Sequence, residues 1–177
     1  PNTYRGELYL ELHRGTLTNQ HEIKYNNRKA EFALRDLELL TVIDSARKGL
    51  ACSAEKTNEL YEVLLLNQFH DILPGTCINR AHEECKAQMG ELLRSAREQT
   101  AAIVEGREDC ISVTNTLSFE RGDVIFAADE GRSLAGAVQQ TYTDIAGNKK
   151  RLISGVRVPA FSSVCLGYGE EKKVDSP

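Results

Sequence analysis

Two hydrophobic periods divide this chain and fix what it can fold into. Ile78, His82, Cys85, Met89, Leu92, Ala96, Gln99 and Ile103 recur at alternating four- and three-residue spacing. That is the seam of an antiparallel helical bundle. From Cys110 onward the period drops to two. Ile111 and Val113, Val124 and Phe126, then Val138, Leu152, Val156, Val158, Val164 and Leu166 fit short strands. Gly122, Gly131, Gly147-Asn148 and Pro159 separate them. Helices followed by a run of strands predict an α+β chain: a three-helix bundle, then a separate β domain.

The spacing predicts helix one over about 20–48. Asn19 followed by Glu22 resembles a capping box. Phe32, Ala33, Leu37, Leu39, Leu40, Ile43 and Ala46 form its apolar stripe, and Gly49 suits the turn beyond its end. Helix two is predicted over about 54–72 with Ser53 as cap. Leu60, Val63, Leu64, Leu65 and Leu66 make it apolar nearly all round, more than two partner helices can cover. Helix three is predicted over about 77–104 with Thr76 as cap. Gly90 lies inside it and costs about 1 kcal/mol relative to Ala.

Glu7-Leu8-Tyr9-Leu10-Glu11-Leu12 alternates as a strand, and a loop from His13 to Thr18 follows. A lone strand is not stable. Its partners, like the cover for helix two, are expected on sequence outside this chain, which reads as a fragment. The polar tail from Glu170 to Pro177 is expected to be disordered.

Charge excludes some function classes. The chain of 177 residues carries a formal net charge of −4 and a pI near 5.6. Nucleic-acid binding needs a basic face, so it is excluded. No apolar run approaches the ~20 residues that span a bilayer, and Pro1-Asn2-Thr3-Tyr4-Arg5 begins no apolar signal region. The five cysteines, Cys52, Cys77, Cys85, Cys110 and Cys165, form no C-x-x-C pair. They read as thiols in a reducing compartment, with no cysteine zinc site.

His70 and Asp71 stand side by side where a Pro-Gly turn stops helix two. An imidazole is a good zinc ligand, and a carboxylate accepts hydrogen bonds from sugar hydroxyls. A histidine at a helix C-terminus also serves simply as a cation favourable to the macrodipole. Asp71 opposes that dipole, which asks for a functional reason. His13 and Arg14 lie in a loop, where binding residues often sit, or in a plain turn. His82 reads as a satisfied core residue and His21 as solvent-facing. No G-x-S-x-G, phosphate-binding Gly loop or H-E-x-x-H occurs.

Three segments carry a resemblance. Gly6-Glu7-Leu8-Tyr9-Leu10-Glu11-Leu12-His13-Arg14-Gly15-Thr16-Leu17-Thr18, continued by Lys24-Tyr25-Asn26-Asn27-Arg28-Lys29-Ala30-Glu31, resembles the G-E-L-Y-L-E-x-H-R-G-T-x-T region of family 38 glycoside hydrolases, the class II α-mannosidases. Leu64-Leu65-Leu66-Asn67-Gln68-Phe69-His70-Asp71-Ile72-Leu73-Pro74-Gly75 is similar to L-L-N-Q-F-H-D-x-L-P-G of the cytosolic and bacterial branch. Phe69 departs from the His-His-Asp of the Golgi and lysosomal branch. Ile111-Ser112-Val113-Thr114-Asn115-Thr116-Leu117-Ser118 resembles I-x-V-x-N-x-L-S, where the family's β region begins. The likeness covers most of residues 4–119.

The resemblance implies a division into the last strand and loop of a catalytic α/β domain (1–18), a three-helix bundle (19–106), and the start of a C-terminal β-sandwich-type domain (107–177). It implies a cytoplasmic, zinc-dependent retaining α-mannosidase acting on mannose-containing oligosaccharides. His70 then supplies the one zinc ligand contributed by the bundle, and Asp71 bonds mannose hydroxyls. His13 and Arg14 line the pocket. The catalytic nucleophile and acid/base belong to the missing N-terminal catalytic domain, so the chain alone is inactive. The expected partners are that domain, the oligosaccharide and further copies of the chain in a homo-oligomer. The contrasting reading is a helical and β interaction module with no chemistry.

Overall fold

The structure is a computed structural model and describes residues 2–6, 11–104 and 108–170. The chain divides into two compact units, residues 1–103 and 104–177. Of the predicted strand, residues 7–10 lie outside the described residues. Glu11 and the backbone of Leu12 open a short 3-10 helix, Glu11–Leu17. The predicted strand therefore does not run through them.

Among the described residues three α-helices build the first unit: α1 His21–Lys48, α2 Glu55–Asn67 and α3 Asn79–Ile103. Each packs on the other two. Their shared core is Ile23, Ala30, Leu34, Leu37, Leu64, Cys85, Met89, Leu92 and Ala96, all buried. The seam read along helix three is therefore real through its middle, though Ile78 precedes α3 and is exposed. The stripe on α1 differs from the expectation. Leu34 is fully buried and Phe32 is 58% exposed, with the Arg28 guanidinium 5.6 Å from the Phe32 ring. Position on the 3.6-residue wheel decides burial, not the apolarity of the single residue.

The predicted caps fail in a consistent way. Gln20, not Asn19, precedes α1; it adopts φ 48° and caps nothing with its side chain. Ala54 precedes α2, and Ser53 plays no capping part. Thr76 turns its hydroxyl toward Asp71 rather than toward α3. The C-terminus of α1 follows the rule: Gly49 takes φ 65°, and the Leu50 N–H reaches the Ser45 carbonyl at 2.9 Å. A side chain at Gly90 would meet nothing within 4 Å. Packing gives no reason for glycine there.

Among the described residues the second unit holds five strands: β1 Cys110–Asn115, β2 Ile125–Ala128, β3 Val138–Thr143, β4 Lys149–Ser154 and β5 Ser162–Gly167. β1 pairs with β5 antiparallel, Ser112 opposite Cys165. β5 falls where Val164 and Leu166 predict a strand, and its pairing with β1 is what the sequence pattern did not reveal. The other three strands form a sheet in the order β2-β4-β3. In β2 the inward residues are Ile125 and Ala127, while Val124 and Phe126 are exposed. The strand lies where the alternation placed it, with Val124 just before it and Phe126 on its exposed face. The β3–β4 turn is fixed by Asp144, whose carboxylate accepts the N–H groups of Ala146 and Asn148.

Two of the five cysteines are not thiols. Cys110 and Cys165 form a disulfide across β1 and β5, with Cα atoms 5.7 Å apart. Their 55-residue separation hid the pairing, which depends on strand register. Cys52, Cys77 and Cys85 are free. No helix among the described residues is long and apolar enough to cross a membrane.

Candidate functional site

The segment after α2 carries His70 and Asp71. α2 stops at Asn67, five residues before the predicted end. Two amides end it. Asn67 is buried and donates to the Val63 carbonyl and to Gln88 Oε1, both at 2.9 Å. Gln68 Nε2 donates to Asn27 Oδ1 at 3.0 Å and Glu31 Oε1 at 3.1 Å. A buried and a half-buried amide, bonded to neighbouring helices, fix where the chain leaves helical geometry.

Residues 69–76 then fold into consecutive turns. The Ile72 and Leu73 N–H groups both reach the Phe69 carbonyl, at 2.9 and 3.0 Å, and the Thr76 N–H reaches the Asp71 carbonyl at 3.1 Å. Gly75 is buried with φ +78°, and a side chain there would come within 2.8 Å of Gln20. Only glycine fits. His70 and Asp71 lie beyond α2 itself. Neither the favourable helix-end cation nor the unfavourable helix-end acid of the sequence reading applies.

Both side chains face out, His70 76% and Asp71 59% exposed, with Nε2 and Oδ2 3.6 Å apart. The Phe69 ring lies tilted against the imidazole, centroids 4.1 Å apart. The Thr76 hydroxyl is 3.4 Å from Asp71 Oδ1, which leaves Oδ2 toward the histidine. The arrangement presents one imidazole nitrogen and one carboxylate on a braced turn. It can contribute one ligand to a cation or one acceptor pair to a polyol, and it cannot complete a reaction alone.

The turn is tied to the start of α1. Lys24 Nζ donates to the carbonyls of Asn19 at 2.6 Å and Leu73 at 2.9 Å. Asn19 Nδ2 donates to the Gly75 carbonyl at 2.7 Å. Burial pushes the Lys24 ammonium below its usual pKa. Sequence reasoning missed Lys24, Asn19 and Gln68 as residues that tie down the segment carrying His70. The one available signal was the polar Asn67-Gln68 pair closing an apolar helix.

His13 and Arg14 lie in the 3-10 helix, both exposed. Arg14 pairs with Glu11 at 3.1 Å, and the Thr16 hydroxyl donates to the His13 carbonyl. The segment that follows them reaches the His70 turn through Asn19. His21 is exposed, as expected. His82 is not satisfied: its buried Nε2 has no hydrogen-bond partner, and Nδ1 lies 3.7 Å from Glu83.

Two other groupings invite inspection. Among the described residues, Asp109, Cys110 and Cys165 are the one set of three potential metal ligands close together, and both sulfurs are bonded to each other. An open cavity of about 710 Å3 in the second unit is bordered by Glu130, Arg132 and Tyr168. There the Arg132 guanidinium stacks 3.6 Å from the Tyr168 ring and pairs with Glu130 at 2.8 Å. The Tyr168 hydroxyl and then Arg132 hold the Glu130 carboxyl below the usual range. These charges answer one another rather than a ligand.

Comparison with known proteins places the first unit. Residues 11–105 match the family described as alpha mannosidase middle domain. The human protein named Alpha-mannosidase 2C1 is 37% identical over 130 residues, covering 70% of this chain and 12% of that protein. The yeast (Saccharomyces cerevisiae) protein named Alpha-mannosidase is 42% identical over 83 residues, covering 46% of this chain and 8% of that protein. The chain thus spans about an eighth or less of these relatives. A crystal structure of an alpha-mannosidase from Enterococcus faecalis shares the fold over 92% of this chain and 25% of its own, with a TM-score of 0.67 at 12% identity.

Proposed function

The chain belongs to the alpha-mannosidase middle-domain family, and from that premise we propose that it is the central part of a zinc-dependent retaining α-mannosidase. The parent enzyme hydrolyses α-mannosidic bonds in mannose-containing oligosaccharides. The first unit is its three-helix bundle, with residues 1–18 closing a catalytic α/β domain. The second unit begins a β-sandwich-type domain. The coverage of each relative, an eighth or less, supports a longer parent.

One observation carries the reading. Within the matched span, His70 and Asp71 stand exposed together on a turn that is braced from α1. The donor set fits one corner of a zinc site: an open imidazole with a carboxylate 3.6 Å away. His70 is the bundle's zinc ligand. Asp71 accepts hydrogen bonds from mannose hydroxyls, and His13 and Arg14 line the pocket. Zinc, when bound, supplies positive charge that holds sugar hydroxyls. The remaining ligands lie in the N-terminal catalytic domain, with the two carboxyl groups that retaining hydrolysis needs about 5–5.5 Å apart.

We place the parent in the cytoplasm with the branch its Phe69-His70-Asp71 sequence resembles. The Cys110–Cys165 bond weighs the other way, since structural disulfides belong mainly to oxidising compartments.

The experiment is His70→Ala in the full-length enzyme. It is expected to remove most of the zinc, read by elemental analysis, and most turnover of an aryl α-mannoside. The purified 177-residue chain is expected to show neither turnover nor tight zinc binding. Full zinc content with normal turnover in His70→Ala would contradict the ligand assignment, and a wild-type full-length protein with neither zinc nor turnover would favour the interaction-module reading.

A further inference from the structure

The turn bearing His70 and Asp71 is held from outside. Its internal bonds, from Phe69, Asp71 and Ile72 carbonyls, fix its shape but not its direction. Direction comes from the start of α1. Lys24 places its ammonium between the Leu73 and Asn19 carbonyls, and the Asn19 amide holds the Gly75 carbonyl. Gly75 is pressed so closely on Gln20 that a methyl group would collide. Three contacts thus join one short stretch, residues 19–24, to Leu73 and Gly75 of the turn.

Lys24 is an expensive residue for this task. Its amine is partly withdrawn from water, and burial is the one cause that moves its pKa. It donates to two carbonyls, which a solvated lysine has no need to do. A neutral side chain would close the same space without that desolvation.

We propose that Lys24, assisted by Asn19, is a positioning residue that aims the His70–Asp71 turn at the metal and the sugar. The inference rests on the reading of His70 as a zinc ligand. Lys24 touches neither metal nor substrate; it acts through the Leu73 and Asn19 carbonyls. Without it the turn keeps its internal bonds, the Asn19–Gly75 bond and the packing of Ile72 and Leu73 on the helical core, and loses the tie that holds the Leu73 carbonyl to α1. A ligand displaced by even 1 Å is a poor ligand.

The test compares Lys24→Met, Lys24→Arg, Asn19→Ala and His70→Ala in the full-length enzyme. Zinc affinity is measured by competition with a chelator, and the visible spectrum is recorded after cobalt substitution. Lys24→Met is expected to weaken zinc by about 10–100-fold, the range for residues that orient a metal ligand. The cobalt spectrum is expected to change shape, and amide exchange over 69–76 to quicken while α3 is unaffected. Lys24→Arg keeps the donors and is expected to recover most of the affinity. Asn19→Ala is expected to weaken zinc by a smaller factor, and it decides the question if Lys24→Met does not fold. Lower stability with zinc affinity and cobalt spectrum unchanged would make the clamp purely structural and overturn the proposal. If His70→Ala loses zinc while Lys24→Met and Asn19→Ala keep it, the positioning role falls and the ligand assignment stands. If His70→Ala keeps zinc, the ligand assignment falls and the positioning role falls with it.

Discussion

In the helical unit the main core is made of apolar side chains drawn from all three helices, with two polar residues, Thr57 and Asn67, buried beside many apolar ones. In the β unit the corresponding cluster is Leu134, Ala137 and Ile153, and two polar residues, Asn115 and Arg151, are buried beside few apolar ones. Arg151 shares a face of β4 with Ile153. It donates to Asp129 Oδ1 at 2.5 Å, to Gln139 Oε1 at 2.7 Å and to the Arg132 carbonyl. Asn115 donates to the carbonyls of Phe119, Val158 and Pro159 and accepts the Leu117 N–H. The helical unit spreads its stability over area. The β unit gathers it on a few polar hubs and one disulfide, as small sheets with thin cores must.

The largest effect should come from the spread-out core. Leu34→Ala removes a fully buried side chain and is expected to destabilise the helical unit by about 2–5 kcal/mol. Hydrogen exchange resolved by peptide should show faster opening across α1–α3 with the strands unchanged. Loss of protection in both units together would erase the distinction between them.

Next comes a polar hub. Asn115→Ala removes the donor to the Phe119 carbonyl and the acceptor of the Leu117 N–H, while the Val158 and Pro159 carbonyls keep Arg121 and Ser162 as donors, and it is expected to cost the β unit about 1–3 kcal/mol. Exchange should quicken in β1 and around Val158. An unchanged profile would show that the hub is decoration.

The smallest effect is acid. The Arg151 guanidinium and then the Gly131 N–H hold the Asp129 carboxyl below its usual range, and Asn148 does the same for Asp144. The folded state therefore binds fewer protons than the unfolded one. Stability from these groups is fully present above the unfolded value of about 4 and is lost as pH falls through the lower folded values. Among the described residues of the helical unit the depressed carboxyl is Glu91, paired with Arg94 at the surface. Between pH 5 and pH 2, the β unit is expected to lose protection first. Equal loss in the two units would sharpen the comparison against the polar hubs.

How much was legible followed the same division. Period alone located α1 and α3 and the order of helices and strands, because core area is written as spacing. The end of α2 was not legible, because Asn67 and Gln68 bond to Gln88, Asn27 and Glu31 on other helices. Asn19 looked like a cap and serves as an anchor for Gly75, a use invisible without the turn lying over it. His70 and Asp71 were singled out by adjacency and motif, and the structure adds their exposure. Lys24 was missed because its partners are carbonyls, which carry no sequence signature. Arg151 and the disulfide partners depend on strand pairing across long separations.

The Cys110–Cys165 bond also has a topological meaning. It turns the chain between those residues into a closed loop that contains β2, β3 and β4 entire. A single cut at the exposed Ile145–Gly147 tip cannot release a piece; both ends stay tethered and the sheet can re-form from them. The same closure limits how far the unfolded loop can spread, worth about 4 kcal/mol for 55 residues if the effect is entropic. A nicked molecule would keep its mass until a reductant opened it, and only then come apart.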